Sequence, residues 1–184
     1  MKYIVAILVL ILMISCNSFP DLKEEFPCKE TSPYVHLKKS EDVRNMFSVQ
    51  FPENWKVNLY YDDTKTSIYA ADTTISVTKT TLMDVTLVHK TVFLDNTFKQ
   101  RITDDNKKMS LLEIKTNDVT ILNKPSYYSY AKGKKGNYSY HILNTFTKIN
   151  DDNFLHVKTE VYGDSLVDER ICKALNLINK TQLN

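Results

Sequence analysis

From residue 111 to residue 162 the chain is a succession of short segments in which apolar and polar residues alternate, separated by compact polar turns. Leu111 to Ile114, Val119 to Leu122, Ser126 to Lys132, Asn137 to Lys148 and Phe154 to Tyr162 read as strands, with loops at Lys124-Pro125, at "GKKG" (133 to 136) and at "NDDN" (150 to 153). A period of two joined by connections this short makes hairpins in series, so the sheet they build is antiparallel. Upstream, "FSVQFPENWKVNLY" alternates at Phe47, Val49 and Phe51, breaks at Pro52-Glu53-Asn54 and alternates again at Trp55, Val57 and Leu59, the pattern of a β-hairpin with one apolar face. "TSIYAAD" (66 to 72) and "DVTLVHKTV" (84 to 92) are further strand candidates, and Asp42 to Met46 reads as a short helical turn.

Two segments carry the helical period instead. Leu94, Phe98 and Ile102 recur every four residues behind Asp95, which predicts a helix over about 96–107 with Asp95 as its N-cap. From Ser165 to about Asn179, Val167, Ile171, Ala174, Leu175 and Ile178 form one apolar stripe that should pack on the sheet. Ser165 followed by Asp168 has the spacing of a capping box, and Asp164 is the alternative cap.

The register of the last two hairpins follows from asking which pairing joins apolar faces. With Asp151-Asp152 as the turn, Phe146 faces Val157 and Ile142 faces Val161. With Lys134-Lys135 as the other turn, Tyr127, Ser129 and Ala131 join that face. The opposite face then lines up Tyr128, His141 and Tyr162 in one row, with Tyr130 nearby. Aromatic rings with polar tips suit interfaces, so this row is a candidate contact surface. In a sheet covered on both faces the same residues would be core, and exposure decides between the two. Lys132, Lys134 and Lys135 add positive charge at the hairpin tip, either as a contact for an anionic partner or as a solvated turn.

The N-terminus has a different character. Ile4 to Ile14 is a run of 11 apolar residues behind Lys2, too short for a bilayer span, which takes about 20. A basic start, a short apolar region and a small residue describe an export signal over residues 1–15. Met13-Ile14-Ser15-Cys16 resembles the lipobox of bacterial lipoproteins. That resemblance implies cleavage before Cys16, a diacylglyceryl group on its sulfur and an acylated amino group; the alternative is an ordinary signal peptide. Several acyl chains would hold a domain on a membrane where one would be marginal. Residues 16–33 contain three prolines and little periodicity and read as a tether, leaving 34–184 as a single domain.

With Cys16 assigned to lipid, Cys28 and Cys172 remain, and an even pair in an exported chain is ordinarily oxidised; two separate buried thiols are the alternative. A bridge would tie the mature N-terminus to the last helix. The 24 Lys and Arg nearly balance the 22 Asp and Glu, so no nucleic-acid partner is implied.

The order of elements resembles the Mog1/PsbP-like fold. The likeness rests on "FSVQFPENWKV", "KPSYYSYAKGKKGNYSYHILNTFTK" and "FLHVKTEVYGDSLVDERICKALNLI" and spans about residues 34–180. It implies an α+β domain, an antiparallel sheet of about six strands with helices on its faces in an α/β/α sandwich. Members of that family bind proteins, Ran GTPases in one branch and photosystem II in another. No binding residue carries over from them.

Catalytic signatures are missing. There is no G-x-S-x-G, H-E-x-x-H or C-x-x-C, and with three glycines in the chain there is no phosphate-binding glycine loop. His36, His89, His141 and His156 are scattered, and "NDDN" lacks the spaced acids and glycine of a calcium loop, so neither a metal nor a cofactor is expected. The expected role is a lipid-anchored, non-enzymatic binding or scaffold module of the cell envelope, on the outer membrane of a Gram-negative bacterium, with an envelope protein as partner. The competing expectation is an envelope enzyme or a small-ligand or glycan carrier with an aromatic cleft.

Overall fold

The computed structural model describes residues 19–184. Cys16 and the apolar run before it lie outside the described residues. After a single 3₁₀ turn (Leu22–Glu25) come β1 (Leu37–Glu41), β2 (Phe47–Pro52), β3 (Lys56–Tyr61), β4 (Lys65–Ala71) and β5 (Thr81–Val88). Helix α1 (Asn96–Lys108) leads into the meander β6 (Leu112–Ile121), β7 (Lys124–Lys135), β8 (Tyr138–Lys148) and β9 (Phe154–Tyr162), and α2 (Val167–Ile178) and β10 (Gln182–Leu183) close the chain. One sheet has seven strands in the order β3-β4-β5-β9-β8-β7-β6; a small one has the order β1-β2-β10. Every pairing between the named strands is antiparallel.

The large sheet carries a helix on each face, as an α+β sandwich requires. On one face Ile171, Ala174, Leu175, Leu177 and Ile178 of α2 pack with Phe47, Val49 and Phe51 of the small sheet against Met83, Val85, Leu143, Leu155 and Val157. On the other, Phe98 of α1 lies edge-on to Phe146 at 5.0 Å and to Tyr127 at 6.3 Å. Asp95 caps α1 as expected, its carboxylate accepting from Phe98 N at 2.8 Å.

Several local expectations are corrected. Residues 47–60 are not a hairpin: β2 pairs with β1 and β10, while β3 belongs to the large sheet. Proline at the end of β2 supplies no N–H to continue a ladder, and Trp55 N closes a turn on Pro52 O at 3.0 Å, directing the chain to the other sheet. Asp42 to Met46 is a turn rather than a helix. The buried Asp42 carboxylate takes the backbone N–H groups of Arg44, Met46 and Phe47 and the Thr66 hydroxyl at 2.7–2.9 Å.

The two candidate strands 111–114 and 119–122 are one strand, β6, with a bulge between Glu113 and Lys115. The turn that follows is Leu122-Asn123, both at positive φ (53° and 58°), a left-handed pair whose twist suits a two-residue hairpin loop. The β7–β8 turn is Gly136-Asn137, with Gly136 at φ 60°, so Lys132–Lys135 extend the strand rather than form a loop. That moves the register but keeps Tyr127 and Ala131 on the face of Phe146 and Ile142.

The β8–β9 register slips by one residue. Phe146 pairs with His156 and Ile142 with Glu160, where Val157 and Val161 were expected. The loop is asymmetric about Asp151-Asp152, because Ile149 N and Asn150 N both bond Asn153 O. A slip of one carries every side chain of a strand to the other face. At α2 neither Ser165 nor Asp164 caps: Leu166 holds the N-cap position at φ 52° with no side-chain bond. Asp164 is engaged elsewhere, accepting from Ser139 Oγ at 2.6 Å.

Part of the stretch expected to be a free tether is docked. Asp21 bridges to Thr120 of β6, Thr120 N donates to Pro20 O at 2.8 Å, and Leu22 is buried in the main core. Phe26 packs on Tyr128 and Tyr130, each at 5.7 Å between centroids. Cys28 is joined to Cys172 of α2, with Cα atoms 5.3 Å apart and 144 residues between them in sequence. Closing a loop that long is worth up to about 5 kcal/mol in the chain-entropy model.

Candidate functional site

The residues expected to form one contact surface divide among three places. Tyr128 has no exposed surface; it is core beneath Phe26, and its hydroxyl donates to Glu25 Oε2 at 2.8 Å. Burial raises its phenol pKa first, and the neighbouring Glu25 carboxylate adds to the effect. Tyr130 is also buried, its phenol pushed up to about 12 by burial and then by Asp168. His141 stacks on Tyr130, with Nδ1 3.1 Å from the Tyr130 hydroxyl and Nε2 3.1 Å from Asp164 Oδ1. Tyr162 and Lys135 lie on the opposite face of the sheet, and Lys134 is exposed at the hairpin tip.

On that opposite face a polar cluster forms which the sequence reading did not identify. Glu160 of β9 is 6% exposed and central to it. Its Oε1 lies 3.1 Å from Lys158 Nζ; its Oε2 lies 3.4 Å from Lys135 Nζ and accepts from the Tyr162 hydroxyl at 3.1 Å. Lys135 Nζ sits over the rings of Tyr140 (5.1 Å) and Tyr162 (5.5 Å), which tilt together at 5.2 Å. Burial would raise the Glu160 carboxyl, but Lys158 and Lys135, with the Tyr140 phenol, hold it below its ordinary value. A carboxylate ionised at neutral pH and already ringed by donors is a poor proton shuttle. It orders a charged surface instead.

On one flank this cluster abuts the buried apolar patch of Leu111, Ala131, Tyr140 and Ile142, and towards β5 and β4 the face is polar. The registers place Asp84 and Thr86 of β5 beside β9 and Tyr69 and Ser67 of β4 one strand further out, with Ser67 and Thr86 bonded at 2.7 Å. Beyond them β3 is the end strand of the large sheet, and Leu59, Tyr60 and Tyr61 are 43%, 59% and 63% exposed. Arg44 lies 5.7 Å over the Tyr61 ring. Sequence reasoning placed Leu59 inside a hairpin; the available signal was the apolar run Leu59-Tyr60-Tyr61, which breaks the period of two. The opposite edge, β6, is partly covered by residues 20–25: besides the Thr120 contacts, Lys115 Nζ donates to Glu25 O at 2.8 Å and pairs with its carboxylate.

Among the described residues no group of three or more His, Cys, Asp or Glu converges as a metal site, and no helix is long and apolar enough to cross a membrane.

Two antiparallel sheets, one large with a helix on each face and one small packed with α2, define an α+β fold of the Mog1/PsbP-like type. The Ran-binding protein Mog1p of Saccharomyces cerevisiae is similar with a TM-score of 0.54 at 10% identity, over 80% of this chain and 95% of that one. A protein of Bacteroides thetaiotaomicron is similar at 0.50 and 14% identity over 82% of this chain, which spans about half (49%) of that protein. LpqN, involved in cell envelope biogenesis of Mycobacterium tuberculosis, gives 0.49 and 10% over 81% of this chain and 92% of LpqN. No family model and no curated protein sequence matches the chain. At such identities the likeness is one of fold.

Proposed function

We propose that this chain is a lipid-anchored, non-enzymatic binding module of the cell envelope that holds a protein partner along the free edge of β3 and the adjoining polar face. The observation that carries the binding role is the β3 edge itself. An end strand with Leu59, Tyr60 and Tyr61 in solvent presents unpaired backbone groups beside apolar side chains, the arrangement an added strand uses. The Glu160, Lys135 and Lys158 cluster, on the adjoining face beyond β4 and β5, supplies charges for orientation. Mog1p, on the same fold, is a Ran-binding protein, so the scaffold accommodates protein binding. The lipobox-like Met13-Ile14-Ser15-Cys16 supports the anchor and the envelope address.

The test is crosslinking and pull-down from intact envelopes with the wild-type chain and with Leu59→Asp/Tyr60→Asp. A defined protein partner captured by the wild type and lost with the folded variant is the expected result. Recovery of no protein partner, or equal recovery by the variant, counts against the reading. Mass spectrometry of the mature N-terminus tests the anchor separately: the expected species carries diacylglycerol on Cys16.

A further inference from the structure

The end strand β6 is covered unevenly. The N-terminal segment lies against it from Thr120 to Lys115: Thr120 Oγ1 donates to Phe19 O at 3.2 Å, and Asn117 Nδ2 and Lys115 Nζ both reach Glu25. Over its first residues the outer edge has no strand partner among the described residues. There Met109, Leu112 and Ile114 are 52%, 64% and 46% exposed. Glu113 between them turns to α1, its carboxylate taking Thr103 Oγ1, Asn106 Nδ2 and Ser129 Oγ at 3.0–3.3 Å, and so keeps its charge away from the exposed apolar side chains.

Positive charge adjoins this apolar strip. Lys132, which pairs with Leu112 in register, and Lys134 are exposed and form no ion pair among the described residues, whereas Lys115 and Lys135 are held by Glu25 and Glu160. The nearby carboxylates are engaged: Asp104 with Lys107, Asp105 with Lys108, and Asp164 with Ser139 and His141. Lys132 and Lys134 are thus the charges free to meet a partner. The bulge leaves Ile114 without a counterpart on β7 and breaks the regular row of edge groups that an added strand needs, unlike β3. Phe19, 49% exposed, sits on the same strand at Thr120, and Cys16 is only three residues before it, so acyl chains there would enter a bilayer beside this edge.

We infer that the uncovered start of β6 is a membrane-contact surface, with Leu112 and Ile114 at headgroup depth and Lys132 and Lys134 against anionic lipid; this rests on the lipid anchor proposed above. The contact is shallow, because unpaired edge N–H groups are too costly in hydrocarbon but can donate to headgroup phosphates. Lysines next to a bilayer surface add attraction to its anionic lipids.

The test uses the full-length protein and vesicles of phosphatidylcholine brominated on its acyl chains, with about 30% phosphatidylglycerol. Trp55, 7% exposed and next to β3, is the only native tryptophan. Brominated lipid should quench the added emission of Leu112→Trp by about half or more and leave the wild type and Tyr60→Trp, at the β3 edge, unquenched. Adding Lys132→Glu/Lys134→Glu to Leu112→Trp should weaken that quenching at least about threefold without lowering the melting temperature, since neither lysine is paired. Equal quenching of Leu112→Trp and Tyr60→Trp, no quenching, or quenching unchanged in the lysine variant would overturn the proposal. No quenching together with loss of a captured protein from envelope pull-downs with Leu112→Asp would assign the patch to a protein instead. Flotation of the wild type with the vesicles at about 1 M salt reads the anchor separately. A chain that floats while Leu112→Trp stays unquenched keeps the anchor and rejects the contact. One that does not float while Leu112→Trp is quenched at low salt rejects the anchor and keeps the contact.

Discussion

The two faces of the seven-stranded sheet are built from the same strands and hold themselves together differently. The face under α2 is a continuous apolar core, closed by the small sheet, the 3₁₀ turn and the Cys28–Cys172 bridge. The other is apolar around Phe98, Tyr127 and Phe146 under α1 and around Leu111, Ala131, Tyr140 and Ile142 next to it, and gives way to charges and hydroxyls across β9, β5 and β4. One face stores stability in burial and covalent closure; the other keeps a preset electrostatic surface at little cost to the fold. Substitutions should therefore separate the two.

The largest effect belongs to the closed face. Cys28→Ser/Cys172→Ser is expected to lose about 4–5 kcal/mol, close to the chain-entropy limit for so long a loop, measured by denaturant unfolding. A loss below about 1 kcal/mol would mean that the N-terminal segment stays docked without the bridge.

His156 tests the boundary of the covered region. It stacks on Phe146 at 4.5 Å, lies 3.0 Å from Asn144 Oδ1, and burial pushes its pKa down to about 4 against the ordinary 6.5. Asp84 opposes that shift, and Lys158 and Lys65 add to it. The unfolded chain binds this proton more readily, so the neutral ring's contribution is fully present above pH 6.5 and is lost as pH falls towards 4. The change is at most about 3 kcal/mol. His156→Phe should flatten the stability profile between those limits; an unchanged slope would show that other groups set it.

The smallest expected effect lies on the open face. Glu160→Gln leaves Lys135 and Lys158 without their shared counterion, yet both reach solvent, so about 1–2 kcal/mol should be lost. Partner recovery should fall much further than stability does. A stability loss as large as that of the disulfide variant would make this face structural.

What the sequence disclosed follows the same division. The stripes of α1 and α2, the meander and the cysteine pair were legible because each depends on a period or a residue type that burial enforces. Register was harder. In β9, Leu155, Val157 and Val161 turn to the core, while Phe154 and Tyr162 turn the other way, so large apolar or aromatic side chains mark both faces and do not fix the parity. The five residues between β8 and β9 decide it, through two backbone bonds to Asn153 that composition does not reveal. Once the parity changed, the Tyr128, His141 and Tyr162 row dissolved and the Glu160 cluster came together. The end position of β3 was hidden for a related reason: Pro52 looked like a hairpin corner but directs the chain from one sheet to the other.

Docking of the N-terminal segment also bears on how the molecule would stand on a bilayer. With acyl chains on Cys16, only four peptide steps separate the lipid from Pro20, already fixed on β6, and such a leash reaches at most about 14 Å. The β6 edge would then be the mooring side. The β3 edge, six strand spacings away, would stand off by roughly 29 Å along the sheet, facing whatever lies beyond the headgroups.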